Sequence, residues 1–438
     1  MTARVSPVAH ALNQSTALLR QAQELIPCQT QCLSKGPTQF VQGVAPAFLS
    51  HGKGSHVWDV DGNEYIDYMS GLGPIILGYN HPVTNEAIRR QLEKATTLSL
   101  NSPLEVEVAE LLREVIPSAE MVRFGKNGSD ATSAAVRIAR AYTGREHIAQ
   151  SGYHGWQDWY VVTTSRNRGI PAALRDLVHP FEYNDLDGLE RILRQYKNQL
   201  AAVIMEPVLV EAPRDDFLRK VKECCEREGI LLIYDEVITG FRWSLGGAQE
   251  YFGVTPDIAC FGKSMTNGMP LSAVVGRKEV MKTCEDVFFS LTYGGECLSL
   301  AAAQATVTFM RQKPVIEQIW NQGRKLQDGF NALAERKDAI QYVSCIGYPV
   351  RTVMRFLDRS GRYSLIIKSL FQQEVIKRGI LFAGYHNLSF SHTGTDIEKT
   401  LEAYGEALDV VKEAAESDNP LEYLQGPPVQ NVFRPIGV

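Results

Sequence analysis

The 438-residue chain contains no apolar run approaching the roughly 18 uncharged residues that a membrane helix needs. Met1 to Pro27 lacks the basic start, apolar middle and small-residue cleavage site of a secretory signal. There is no CxxC pair and no histidine pair at zinc-finger spacing. Cys28, Cys32, Cys224, Cys225, Cys260, Cys284, Cys297 and Cys345 are scattered, as reduced packing thiols are, so neither a disulfide framework nor a metal site is expected. Cationic excess is missing too: 45 basic against 50 acidic residues give a net charge of -5, which leaves nothing to neutralise a nucleic-acid backbone. These absences predict a cytoplasmic chain with no nucleic acid or membrane as partner. What remains is an ordinary globular composition, 44% hydrophobic and 22% charged. The length exceeds the roughly 250 to 300 residues at which a single core stops growing, so two unequal domains are expected.

Neither internal repeats nor low-complexity tracts interrupt the chain. Apolar residues recur at helical spacing from Leu12 to Leu25. The pair Val57–Val60 and Glu64–Tyr68 flanks the turn residues Asp61, Gly62 and Asn63 and predicts a hairpin. Asp59, Asp61 and Asn63 imitate a calcium loop, but the glycine stands fourth instead of sixth and Ser70 replaces the bidentate glutamate, so calcium is excluded. Helices are expected over Pro103–Ile116, Phe217–Arg227, Leu298–Met310, Ile316–Lys337 and Ile397–Ala415. Strands are expected at Ile148–Gln150, Tyr160–Val162, Ala201–Met205, Ile230–Tyr234, Ala273–Gly276, Thr352–Phe356 and Leu388–His392. Apolar strands alternating with helices predict a parallel sheet covered on both faces. The boundaries read as a helix and hairpin segment over 1–70, a large domain over 71–312 and a smaller α+β domain over 313–438.

Two strand ends carry the chemistry. The run Leu231–Tyr234 delivers Asp235 and Glu236, and a second apolar run ends at Gly262-Lys263, so an acid and an amine arrive where open sheets present ligand groups. Between Phe124 and a helical pattern lies Gly125-Lys126-Asn127-Gly128-Ser129-Asp130. Gly128 and Ser129 fall at the helix start, where free N–H groups, the dipole and a hydroxyl favour an anion. Pyridoxal phosphate requires a lysine to hold its aldehyde, a carboxylate to keep its ring nitrogen protonated, a phosphate cradle and an aromatic cover. Lys263, Asp235, the Gly128-Ser129 turn and Tyr153 meet those needs in order. Taken singly, each has a plainer explanation: a solvated lysine, a strand cap paired with Arg242, a capped helix, a loop aromatic beside a structural His154. The set together predicts the cofactor.

The stretch Asp235-Glu236-Val237-Ile238-Thr239-Gly240-Phe241-Arg242, then Gly262-Lys263 and Gly268-Met269-Pro270, resembles the signature of the class III aminotransferases, pyridoxal-phosphate enzymes of fold type I. It is nearest to glutamate-1-semialdehyde 2,1-aminomutases. Trp58 to Asn63, Met121 to Phe124, Ala141 to Arg145, Tyr153-His154-Gly155, Glu206-Pro207, Gly246 to Gln249 and Val254 to Asp257 match as well, and the likeness spans about Gly54 to Leu401. It implies a large domain with a mostly parallel, seven-stranded type of sheet and a smaller α+β C-terminal domain. It also implies that Tyr153 stacks on the cofactor ring, that Val237 packs on the other face, and that Asn127, His154 and Glu206 belong to the cofactor site. Thr292 would reach the phosphate of a neighbouring subunit, which makes a homodimer with shared active sites. Asn127-Gly128-Ser129 replaces the family's common Ser-Gly-Thr. The acidic residue that mutases carry before their histidine motif is absent from Gly384-Tyr385-His386-Asn387, and no arginine matches near Lys35.

Trp156 and Trp159, with Arg166 and Arg168, form a candidate substrate wall, since aromatic faces suit sugars and arginine forks suit carboxylates. Trp156 and Arg168 are its leading members. Two enzyme readings follow: a ping-pong aminotransferase moving an amino group from a donor to a small carbonyl compound such as a sugar or keto acid, and an aminomutase returning the amine to a neighbouring carbon of one molecule. A cofactor-free scaffold is the third reading, disfavoured by the presence of both Lys263 and Asp235.

Overall fold

The computed structural model describes residues 11–432. They fall into two compact units. One comprises 11–72, 77–81 and 317–432, and the other 73–76 and 82–316.

The second unit is built on a seven-stranded sheet: β1 Met121–Gly125, β2 His147–Ser151, β3 Val178–Pro180, β4 Leu200–Met205, β5 Leu231–Asp235, β6 Ile258–Phe261 and β7 Ser272–Gly276. Their order across the sheet is β1-β7-β6-β5-β4-β2-β3. β7 runs antiparallel to both of its neighbours, and the pairs β6–β5, β5–β4, β4–β2 and β2–β3 are parallel. The sheet is therefore mixed and mostly parallel. Every residue of β4, β5, β6 and β7 is buried, which explains their lack of polar alternation. Ala131, Ala134, Ala135, Ile138 and Ala139 of the helix Gly128–Thr143 share one core with Ala202, Ile204, Ile233, Cys260 and Val274. Small residues on that face let the helix lie close to the strands, and Gly144 ends it in the left-handed conformation.

This arrangement fixes where chemistry happens. The carboxyl ends of β2, β4, β5 and β6 lie along one edge, so Ser151, Met205, Asp235 and Phe261 lead into loops that emerge together. Because β7 is reversed, Ser272 at its start stands at that same edge, opposite Gly125 at the end of β1.

In the first unit the hairpin strands His56–Asp59 and Glu64–Asp67 pair antiparallel, flanked by Leu49–Lys53 and by the short parallel strand Ile380–Leu381. A three-stranded sheet of Val343–Tyr348, Arg351–Phe356 and Tyr385–Asn387 accompanies the helices Leu365–Ile376 and Gly394–Glu416. Asp59, one of the residues imitating a calcium loop, accepts the amides of Asp61 and Asn63 at 3.0 and 2.8 Å and so closes the hairpin turn.

Two expected strands are corrected. Tyr160–Val162 belongs to a helical turn, Asp158–Val161, which buries Trp159 and Tyr160. The strand placed at Leu388–His392 lies instead at Tyr385–Asn387, where it pairs with Arg351–Val353.

A titrating cluster ties the hairpin to the helix Gly394–Glu416. His56 Nε2 lies 3.0 Å from Asp396 Oδ1 and His56 Nδ1 lies 2.8 Å from Glu64 Oε1. The hydrogen bond to Asp396 raises the His56 pKa above 6.5 against the opposing effect of burial. Burial would raise the Asp396 pKa, but bonds from His56, the Thr393 amide and Ser55 outweigh it and hold the carboxyl below its ordinary range. The His56 contribution is thus complete below pH 6.5 and disappears as pH rises through the elevated folded value. His56→Gln is expected to lower the melting temperature at pH about 6 and to lose that difference by pH about 8.5. Melting curves across that range with a pH-independent gap between the two proteins would refute the ion pair's contribution.

Candidate functional site

Asp235 closes β5 with its carboxylate 5% exposed and both oxygens engaged. His154 Nδ1 donates to Oδ2 at 2.9 Å, and the Val237 amide donates to Oδ1 at 3.1 Å. A buried carboxylate held by an imidazole and an amide cannot swing, so its charge is presented in a fixed direction. His154 is itself fixed, stacked on Trp159 at 5.9 Å and edge-on to Tyr160 at 5.5 Å, while its backbone oxygen accepts Thr132 Oγ1 at 2.8 Å.

The neighbouring carboxylate has a different task. Glu236 points into the loop that follows β5, where it accepts the Thr239 hydroxyl and the amides of Ala248 and Gln249, the latter two at 2.8 Å. Burial pushes its pKa up to about 7 against those three donors. Glu236 therefore starts the short helix Ala248–Phe252 and braces the loop. Arg242, also buried, donates to Gly73 O at 2.9 Å.

Lys263 follows β6 by two residues, and Asp235 is paired with Cys260 of β6, so the amine belongs to the adjacent strand end. It is half-buried, at φ +40°, a conformation that costs a non-glycine residue energy and that recurs where function requires it. Three glycine-level contacts bring the lysine, the acid and the helix start together. A Cβ placed on Gly128 would lie 2.9 Å from Val237 Cγ1, and one on Gly262 would lie 3.6 Å from the same atom. Val237 thus sits between the helix start and the lysine loop. Gly155, at φ +101°, passes so close to Ser129 that an added Cβ would lie 2.2 Å from its Oγ. The Trp156 amide donates to that hydroxyl at 3.3 Å.

The helix start is arranged for an anion. Asp130 Oδ2 accepts the amides of Lys126 and Asn127 at 3.0 and 2.7 Å, which shapes the turn. The first-turn amides of Gly128 and Ser129 have no acceptor within the helix, and they carry its positive dipole end. Glu206, expected in the cofactor site, accepts the Tyr153 amide at 2.8 Å and so positions the loop that bears the aromatic ring. Tyr153 remains 48% exposed and lies edge-on to Tyr160 at 5.5 Å.

The expected residues of this unit thus separate into four groups. Asn127, Gly128, Ser129, Tyr153, His154, Glu206, Asp235, Val237 and Lys263 form one connected set. Trp156 is 68% exposed and adjoins it through the Ser129 contact; Arg168 is exposed. Trp159, grouped with Trp156 from the sequence, is core, with Nε1 donating to Ser133 Oγ at 3.0 Å. Thr292 stands elsewhere, on the wall of a groove of about 970 Å³ with Leu98, Leu100, Val106, Arg123 and Phe289. Sequence reasoning missed the bracing roles of Thr132, Gly155 and Glu236. Only the glycines around Tyr153 and His154 offered a local sign of close packing.

Pyridoxal phosphate fits the chemistry of these residues: the first-turn amides and the Ser129 hydroxyl at the start of the helix Gly128–Thr143, a buried carboxylate held by His154 and the Val237 amide, and an amine after the adjacent strand. Comparison with known proteins agrees. The family model described as aminotransferase class-III matches residues 40–376. A 3-aminobutyryl-CoA aminotransferase of Cloacimonas acidaminovorans is 36% identical over 412 residues, covering 92% of this chain and 98% of that protein. A glutamate-1-semialdehyde 2,1-aminomutase of Syntrophobacter fumaroxidans is 35% identical over 399 residues, covering 85% and 92%. Among solved structures, the FumI protein of Sphingopyxis sp. MTA144 in its PLP internal aldimine form superposes with a TM-score of 0.86 at 29% identity, covering 94% of this chain and 99% of that one.

Proposed function

From the premise that this chain belongs to the class III aminotransferase family, we propose a ping-pong reaction in which Lys263 and Asp235 are the working residues and two copies of the chain share their sites. The protein is a pyridoxal-phosphate-dependent enzyme of fold type I that acts on small amines and carbonyl compounds. Bound pyridoxal phosphate supplies the electron sink that makes a proton on the amine-bearing carbon removable.

The chain's own groups do the rest. The fixed Asp235 anion keeps the ring nitrogen protonated. The Lys263 amine would hold the cofactor's aldehyde and would move the proton at the substrate α-carbon as general base and acid. Gly128 and Ser129 hold the phosphate with amides and a hydroxyl, and Asn127 shapes that turn. Tyr153 and Val237 would hold the cofactor ring between them, while His154 fixes Asp235 and Glu206 fixes the Tyr153 loop. Trp156 and Arg168 face the incoming carbonyl compound. Arg168 forms no ion pair among the described residues, which leaves its fork available to a carboxylate. The carrying observation is the contact chain Gly128–Val237–Gly262, which places the phosphate turn, the acid's loop and the lysine around one space.

Sharing of sites is supported by the groove beside Thr292. Leu100 and Phe288 are 86% and 81% exposed, and Leu98, Val106 and Tyr293 are also open, a cluster of apolar surface that a second copy would cover. Thr292 would then reach the phosphate held by the neighbouring subunit. All eight thiols are free, and no helix among the described residues is long and apolar enough to cross a membrane; we place the protein in the cytoplasm.

One experiment addresses these assignments. A panel of amino donors is mixed with the purified yellow protein, sized beforehand by sedimentation, and the bound cofactor's spectrum is followed in the absence of any acceptor. Stoichiometric conversion by one donor, release of its keto product and a mass of two chains are expected. Full activity in a single-chain species would end the shared-site assignment. The similarity to an aminomutase favours a second reading, intramolecular transfer. It would be established if a single amino-aldehyde isomerised with no keto product leaving.

A further inference from the structure

Ser272 is an unexplained polar residue at this edge of the sheet. It begins β7, is completely buried, and its Oγ has no hydrogen-bond partner among the described residues. A buried hydroxyl without a partner is unfavourable, and such groups mark places where a ligand or ordered water completes the bonding.

Its surroundings point to which ligand. Ser272 is directly opposite Gly125 across the β1–β7 ladder. A Cβ on Gly125 would lie 2.8 Å from Ser272 Oγ, 3.1 Å from Asp130 Cβ and 3.5 Å from Phe289 Cζ. The hydroxyl thus enters the space that Gly125 leaves empty, at the root of the turn leading to Gly128 and beside the first turn of the sixteen-residue helix Gly128–Thr143. On its other side, Ser272 Cβ is 3.8 Å from the Cβ position of Gly262, which precedes Lys263. An alanine in place of Gly125 would displace it, and an alanine in place of Ser272 would leave the space without a donor.

We propose that Ser272 is a phosphate-positioning residue, its hydroxyl completing the cradle of Gly128 and Ser129 by donating toward the phosphate directly or across one enclosed water. The inference rests on the assignment of that turn to the cofactor phosphate. Ser272 adds a neutral donor from the sheet side, complementary to the helix amides, and a donor to an anion is stronger than one to a neutral acceptor.

The test compares cofactors with and without the phosphate. In wild-type protein and in Ser272→Ala, dissociation constants are measured by spectroscopic titration for pyridoxal phosphate and for pyridoxal, and the melting temperature is taken without either. The expected result is a loss of about tenfold in affinity for pyridoxal phosphate, no change for pyridoxal, and an unchanged melting temperature. Ser272→Thr, which keeps the hydroxyl, is expected to recover most of the affinity, and the phosphorus resonance of bound cofactor is expected to shift in the alanine variant alone. Equal weakening for both ligands, or unchanged affinity for pyridoxal phosphate, would overturn the role of Ser272. Failure of the wild-type protein to prefer pyridoxal phosphate over pyridoxal would instead overturn the phosphate assignment of Gly128 and Ser129.

Discussion

Lys263→Ala is expected to leave a folded protein that turns over no amine, with the rate reduced by at least about 10⁴-fold because the proposed mechanism gives this one group both covalent attachment and proton transfer. The substitution is a clean one. Lys263 sits at φ +40°, and alanine retains the Cβ, so the backbone strain at that position is the same before and after. Ser264, Met265 and Thr266, buried immediately after it, keep their packing, and Thr266 Oγ1 still bonds within the Lys263–Met269 turn. Cofactor would still be retained through the phosphate cradle and Asp235, but without a covalent link. Borohydride treatment followed by mass measurement distinguishes the states: cofactor mass remains on the wild-type chain and is absent from the variant. Circular dichroism checks the fold. Turnover within tenfold of wild type would place the catalytic amine elsewhere.

That Asp235 and Lys263 stand at adjacent strand ends is legible in the sequence, while the contacts around them are not, and the difference is one of range. Both residues end apolar runs of the length and composition of buried strands, and such strands deliver side chains to a single edge. The run at Tyr160–Val162 has the same aromatic and β-branched composition, yet it is a helical turn, because three apolar residues fit either pattern and burial of Trp159 and Tyr160 against the helix Gly128–Thr143 decided it. The true strand there, Val178–Pro180, is three residues long and ends in proline, which leaves almost no periodic signal. In the site, the turn at Gly128 reads as an anion cradle from its own composition. That Val237 separates it from Gly262 does not, since no local pattern records contacts between distant loops. The same holds for Glu236. Its adjacency to Asp235 suggests a carboxylate pair, but strand alternation turns the two to opposite sides, one toward the ligand space and one into the loop it braces.

Asp235→Asn carries the second large effect, and it isolates charge from shape. Asparagine is nearly isosteric, so the Val237 amide can still donate to a side-chain oxygen, and β5 keeps its register. What disappears is the negative charge that the proposed mechanism sets against the ring nitrogen, together with the anion partner of His154 Nδ1. On the proposed mechanism the nitrogen would then lose its proton at neutral pH, and the substrate α-proton would be correspondingly harder to remove. A loss of about 10³-fold in turnover is expected, on the scale of removing one preorganised electrostatic partner from a closed site. Covalent attachment to Lys263 should persist, because that bond does not depend on the ring charge, and this separates Asp235→Asn from Lys263→Ala. A cofactor methylated on its ring nitrogen is permanently cationic and no longer needs the carboxylate. Supplied to the asparagine variant, it is expected to restore part of the lost rate, whereas it should not help Lys263→Ala. If the methylated cofactor fails to rescue while the variant binds it normally, Asp235 acts through His154 and the loop geometry instead of through charge. The decision then passes to variants of His154, whose imidazole fixes the carboxylate.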